Sequence, residues 1–292
     1  MKKQFLLVSI VSVLLFAGCD KKKDRIFDED PTTRLNASVD NVYSAVKTKQ
    51  AWIFSYYPGV NTEYGGFNLF PNFTSAVDVT IQADYVATLQ TGSFKVYPGA
   101  GPILTFDSYN SVIHYFGLPA YYTVGNGSNP TAAQLAAANI GTTDAGMKGD
   151  FEFLVLSANQ DSILLKGRKY GNIMKMKSVD AAQLPTIITN YKAAATTFNA
   201  FRTFKLEVNG TAYATTSTTS TVSGVVRPNR YLNVTGKSIS ISFIVTDTGL
   251  EFYKEYQIDG VKFSKLKYNA PNTTYAKGYY SNSSGSFKVI PL

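Results

Sequence analysis

Val77-Asp78-Val79-Thr80-Ile81-Gln82-Ala83-Asp84-Tyr85 alternates strictly between apolar and polar residues. A period of two sends neighbouring side chains to opposite faces, so this stretch predicts an antiparallel strand with one buried and one wet face. Shorter runs of the same kind stand at 93–97, 103–107, 151–157, 163–166 and 173–177. Turn chemistry separates them: Pro98-Gly99, Gly101-Pro102, Asn159-Gln160-Asp161 and Lys169-Tyr170-Gly171-Asn172. Together they predict a meander. Upstream, Leu35, Val39, Val42 and Val46 recur at spacings of three and four, which predicts a helix over 34–50.

The pattern then starts again. Leu184, Ile187, Ile188, Tyr191, Phe198 and Phe201 form one stripe of a helix near 181–201, with Pro185 tolerable only in its first turn. Asn209-Gly210 between runs at 204–208 and 211–214 is the strongest hairpin signal in the chain. Further runs at 238–245, 250–257, 261–268 and 287–290 are joined by Thr246-Asp247-Thr248-Gly249 and Asp259-Gly260. Short segments match between the halves. Ser93-Phe94-Lys95-Val96 resembles Ser242-Phe243-Ile244-Val245, Leu104-Thr105-Phe106 resembles Leu250-Glu251-Phe252, and Gly149-Asp150-Phe151-Glu152-Phe153 resembles Gly260-Val261-Lys262-Phe263. The expected class is α+β, mostly β: two similar lobes, each a helix followed by an antiparallel β-meander. The alternative is one lipocalin-like β-barrel or β-sandwich. An internal duplication is suggested, with lobes at 34–178 and 179–292. The Thr/Ser-rich stretch 215–223 is expected to be a mobile hairpin tip.

The first 18 residues read as a lipoprotein signal peptide. Lys2 and Lys3 precede an apolar run over 5–16, and Ala17-Gly18 leads into Cys19, the single cysteine. A run of about a dozen apolar residues is too short to span a bilayer, which needs roughly 20. Cys19 is therefore expected to carry lipid and to tie the protein to a bacterial outer membrane, on either its surface or its periplasmic face. Residues 19–33, rich in charge, form the expected flexible leash. The formal net charge of +8 falls to +6 once Lys2 and Lys3 leave with the signal. No basic run interleaved with aromatics marks a nucleic-acid surface, so nucleic acid is not an expected partner.

The residues offer little chemistry. His114 is the only histidine, which excludes sites built from several histidines. Its place beside Val112 and Phe116 reads as a half-buried imidazole. Glu63, Asp107, Asp150, Glu152, Glu251 and Glu255 are the carboxylates that a glycosidase could pair. No Gly-x-Ser-x-Gly elbow or phosphate-binding loop is present. The expectation is a non-enzyme with no catalytic residues, metal or cofactor.

Binding has more support. Trp52, Tyr56, Tyr57, Tyr121 and Tyr122 belong to a set of aromatics that includes residues beside Gly, Pro and Asn, such as Tyr56-Tyr57-Pro58-Gly59, and exposed rings can stack on sugars or peptides. They are the candidate ligand-binding residues, with core packing as the competing reading. Residues 117–148 make a long connection, either a lid over a cleft or a surface insertion. Asp161-Ser162-Ile163 has the form of a bacterial O-glycosylation site.

A family likeness rests on Asp24-Arg25-Ile26-Phe27-Asp28, Trp52, Tyr56-Tyr57-Pro58-Gly59 and Tyr64-Gly65-Gly66-Phe67-Asn68. It also rests on Leu104-Thr105-Phe106-Asp107-Ser108-Tyr109-Asn110, Gly149-Asp150-Phe151-Glu152-Phe153 and the run from Leu165 to Asn172. The set resembles a domain-of-unknown-function family of Bacteroidota lipoproteins, matching the first half more closely than the second. The resemblance implies a setting near SusC/SusD-like uptake systems and carries no catalytic residues. The functional expectation is an accessory ligand-binding lipoprotein for nutrient uptake, taking glycan, peptide or haem, with an outer-membrane transporter as partner. The alternative is a structural or adhesion envelope protein that binds another protein.

Overall fold

The computed structural model describes residues 27–120, 129–137, 146–217, 219–222 and 225–292. Cys19, Tyr121 and Tyr122 lie outside them. The chain divides into a short unit ending at Arg34 and a large unit, Leu35–Leu292. In the first, the Arg34 guanidinium lies 3.8 Å from the centre of the Phe27 ring. Helix α1 spans Pro31–Lys49, three residues earlier than the periodicity predicts. Asp30 accepts a 3.4 Å bond from the Thr32 amide, and Pro31 occupies the first helical position. Asp-Pro is a helix start here, where the charge pattern had suggested leash.

The large unit is predominantly β. Strands β1 (Ala51–Tyr56), β2 (Phe67–Phe73), β3 (Asp78–Ala83), β4 (Val86–Ser93), β5 (Lys95–Pro98), β6 (Pro102–Thr105), β7 (Glu152–Ala158), β8 (Ser162–Gly167) and β9 (Ile173–Val179) form one antiparallel sheet. Its order is β4-β3-β2-β1-β9-β8-β7-β6-β5. The two edges are neighbours in the chain, separated only by Phe94. The ribbon β4–β5 therefore pairs with β3 along its first part and with β6 along its second. The Asp107 amide donates to the Ser93 carbonyl at 3.2 Å and ties the edges together. The sheet curls around a core containing Trp52, Phe54, Tyr56, Phe116 and Phe153, with Val42, Ala45 and Val46 of α1 built into it.

The second half repeats the plan. Helix α3 (Leu184–Asn199) follows the short α2 (Ala132–Ala137), and Pro185 sits in the first turn of α3 as required. Strands β10 (Phe204–Val208), β11 (Thr211–Thr216), β14 (Tyr231–Val234), β15 (Ser240–Val245), β16 (Gly249–Ile258), β17 (Val261–Asn269), β18 (Tyr279–Ser281) and β19 (Phe287–Pro291) close into a barrel. Phe198 near the end of α3 joins the barrel core beside Phe204 and Phe243. In each half the strand after the helix pairs with both the next strand and the last: β1 with β2 and β9, β10 with β11 and β19. The three segment matches seen in the sequence fall on equivalent strands of these two rings: β5 with β15, β6 with β16, β7 with β17.

Two strands leave the second barrel, β12 (Thr219–Val222) and β13 (Val225–Pro228), paired with each other. The expected mobile tip is thus partly strand. Val222 is fully buried in the core of the first sheet, and Ser220 donates to Asn229 at 2.6 Å. At their base the side chains of Arg230 and Asp84 form an ion pair of 2.7 Å with almost no exposure. Arg230 also donates to the Gly66 carbonyl at 2.9 Å, and Asn68 donates to Asp84 at 2.6 Å and to the Val245 carbonyl at 2.7 Å. This polar knot joins the two halves.

Candidate ligand-binding site

Trp52, Tyr56 and Tyr57 are buried, with exposures of 0%, 0% and 4%. They form no exposed platform. Strand β1 turns Trp52, Phe54 and Tyr56 into the sheet's core, while Ala51 and Ile53 pack outward against Leu184 and Ile188 of α3. A strand covered on both faces reads as a continuous apolar run, which sequence does not distinguish from an aromatic loop. The Tyr56 hydroxyl donates to the Asp150 carbonyl at 2.8 Å, and burial pushes its pKa well up. The Tyr57 ring meets the Tyr253 ring edge-on at 4.8 Å.

Exposed aromatics occur elsewhere. Among the described residues of the large unit, Tyr109 and Phe151 are the large aromatic side chains that stand open, at 64% and 41%. His114 lies between them. Its ring centre is 4.7 Å from Phe151, tilted by 34°, and 5.7 Å from Tyr109, tilted by 36°. Three rings thus stand in a row at the surface.

Local structure fixes each member. After β6, Phe106 donates its amide to the Phe151 carbonyl at 3.1 Å, holding the two stretches together. Ser108 accepts from the Ser93 amide at 2.6 Å and Asp107 from the Ser93 hydroxyl at 2.7 Å. Buried Asn110 accepts from the Val112 amide at 3.0 Å and starts the turn that becomes a 3-10 helix at His114–Gly117. His114 Nδ1 lies 3.1 Å from the Asn110 amide nitrogen and 3.2 Å from the Asn110 carbonyl, so Asn110 holds the ring in place through that atom. Burial lowers the His114 pKa, with carbonyls of Asn110 and Phe106 acting in opposition. Ser111–Ile113 form the turn that leads into the 3-10 helix, with Val112 and Phe116 buried and His114 half-buried as its place in the sequence suggests.

The 117–148 connection begins and ends at this ladder. The Gly149 amide donates to the Phe116 carbonyl at 3.0 Å. A Cβ on Gly149 would sit 2.4 Å from that of Phe116 and 2.5 Å from the Tyr56 hydroxyl, so only glycine closes this neck. Within the connection, Leu135 of α2 packs against the first core.

The carboxylates are committed elsewhere. Asp150 accepts from the Lys169 amide at 2.7 Å and the Tyr170 amide at 3.2 Å, while burial raises its pKa. Glu152 bonds Arg168 at 3.0 Å and Tyr97 at 3.1 Å. Glu63 accepts from the Asn61 amide at 2.8 Å, Glu251 pairs with Lys265 at 3.0 Å, and Glu255 with Lys262 at 3.3 Å. Among the described residues no group of three His, Cys, Asp or Glu is placed to hold a metal, and no helix is long and apolar enough to cross a membrane. Of the Asp161-Ser162-Ile163 stretch, Asp161 ends the turn between β7 and β8, while Ser162 and buried Ile163 begin β8, and Asn159 accepts from the amides of Asp161 and Ser162.

Such a molecule is a β-rich protein with a curled nine-stranded sheet, a closed barrel and a surface stack of aromatic rings. The chain belongs to the family described as domain of unknown function (DUF4302), which matches residues 23–270 and so reaches through both halves. No curated protein and no solved structure matches it.

Proposed function

We propose that this protein is a lipid-anchored accessory protein of the bacterial outer membrane that captures a soluble nutrient ligand for an uptake system. The observation that carries the reading is the Tyr109–His114–Phe151 ladder, with two open rings in the large unit. Flat apolar faces with hydroxyl, imidazole and carboxylate groups nearby suit the hydrophobic face of a sugar ring, so glycan is favoured over peptide or haem. The anchor rests on Lys2, Lys3, the apolar run and Cys19. The Bacteroidota uptake setting comes from the family likeness. The ends of the 117–148 connection meet beside the ladder, where the Gly149 amide donates to the Phe116 carbonyl.

The test is an oligosaccharide binding screen with the full chain and the Tyr109→Ala and Phe151→Ala variants. Stacked rings contribute about 0.5–1.5 kcal/mol each, so either variant should weaken binding about two- to twelvefold. An absence of oligosaccharide binding, or binding indifferent to both variants, refutes the glycan reading. Cross-linking of the native lipoprotein in outer membranes tests the transporter, and recovery of fimbrial or matrix proteins instead favours the adhesion reading.

A further inference from the structure

The second barrel has one strand edge without a partner. Strand β17 pairs with β16 from Val261 to Lys267, but β18 reaches only its last three residues, Lys267, Tyr268 and Asn269. Beyond that point β18 turns away through Asn282–Gly285 and enters β19, whose Phe287 carbonyl is taken by the Asn282 amide. Residues Val261–Leu266 have no strand partner on that side among the described residues. At about 3.3 Å per residue this is roughly 20 Å of strand edge, enough for a short peptide.

A groove of about 820 Å³ runs along it, between Ser264–Lys267 and the Ser281–Ser284 turn. Its floor is firm: Phe263 and Leu266 are buried in the barrel core, and the rings of Phe263 and Phe287 stack 3.6 Å apart. Its far end is latched, since Asp259 at the hairpin tip bonds Lys237 at 2.5 Å and also the Tyr213 hydroxyl. The edge is therefore held in extended form without a ligand, which reduces the ordering cost of adding a strand.

The charge on this edge selects the occupant. Lys262, Lys265 and Lys267 line the groove against a single acid, Glu255. Lysines on an edge oppose pairing with another copy of the same edge. They favour a strand that carries carboxylates. The existing pairs of Lys262 with Glu255 and Lys265 with Glu251 are exposed, and exposed pairs exchange partners at little cost. We propose that the Val261–Leu266 edge docks an acidic, extended peptide segment of a partner protein by adding it as a strand. This inference is independent of the ladder and of the ligand it takes.

The probe is a blocked eight-residue peptide alternating valine and glutamate. Its controls are a lysine-for-glutamate peptide and an acidic peptide methylated at alternate backbone nitrogens. Binding to the full chain is read by fluorescence anisotropy, and protection of the β17 amides by hydrogen exchange. The expected result is binding of the acidic peptide with new protection at 261–266. The lysine peptide, the methylated peptide and the Lys262→Glu/Lys265→Glu variant should each bind at least about tenfold more weakly. Failure of the acidic peptide to bind, equal binding of the methylated peptide, or protection confined to other strands each overturns the proposal. So does concentration-dependent self-association that the double variant abolishes, because the edge would then serve a second copy.

Discussion

Asp84 and Arg230 meet where neither side chain reaches water, and the pair is closed by the Gly66 carbonyl and Asn68. Removing one partner strands the other charge in the interior, which typically costs about 3–5 kcal/mol. Arg230→Met should lower unfolding stability by that amount in a denaturant titration, whereas Asp84→Leu/Arg230→Met should recover much of the loss. Simple addition of the two single losses would show that the charges act separately. His114 supplies a second test at this scale. Its folded pKa lies below the ordinary 6.5, so the unfolded chain binds more protons as pH falls. Its contribution is complete above the ordinary value and is lost as pH drops from there through the folded pKa. Between pH 7.5 and 5.5 the wild type should lose more stability than His114→Gln, and parallel losses would exclude the imidazole as the source. Gly65 makes a third point. Its φ is +69°, and a Cβ would lie 2.0 Å from the Arg230 carbonyl. Gly65→Ala should therefore destabilise by more than the roughly 1 kcal/mol usual for glycine replacement at positive φ, measured in the same titration.

Elements differ in how openly the sequence declares them. Strand β3 wears its alternation plainly because one face is core and the other is wet; its burial runs exposed, buried, intermediate, buried, intermediate, buried. Strands β1 and β2 have no wet face, so Ala-Trp-Ile-Phe-Ser-Tyr and Phe-Asn-Leu-Phe carry no period, and their aromatics read as loop residues. The ladder was hidden for the opposite reason. Tyr109 and Phe151 flank strand ends in well-marked motifs, but only the bond between Phe106 and Phe151 and the turn at Asn110 bring their rings to either side of His114. That juxtaposition depends on pairing across 44 intervening residues of chain, 107–150, which no local pattern encodes. Helix α3 was legible from its stripe, though not its double duty. Leu184 and Ile188 cover the outside of β1 and β2, while Phe198 enters the second barrel. Phe198→Ala should cost about 3–5 kcal/mol by leaving a cavity in that core, and a loss below about 1 kcal/mol would mean that the helix end is dispensable.

At the scale of the molecule, the two halves repeat a helix and a ring of antiparallel strands, yet they share buried residues. Val222 from the second half lies in the first core, and the Asp84–Arg230 knot, Thr62–Ser242 and Tyr57–Tyr253 contacts span them. Such coupling should make heat unfolding one cooperative transition in calorimetry. The Arg230→Met variant should broaden or split it, with the second barrel melting apart from the first. A wild type that already shows two peaks would mean that the shared residues are too few to bind the halves into one unit.

The placement of β1 carries a consequence for how this chain is made. Ala51 finds Asn72 nearby on β2, but its other neighbour, Val179, is the last residue of β9. A ribosome delivers β1 early and β9 late. Until β9 emerges, the seam that completes the first ring stays open, and Phe70 and Ala51 remain bare until α3 follows to cover them. Pairings between distant parts of a chain form slowly and leave greasy edges on view. The nascent first half is thus a dependent of the second, waiting on a helix that synthesis supplies only after all nine of its strands.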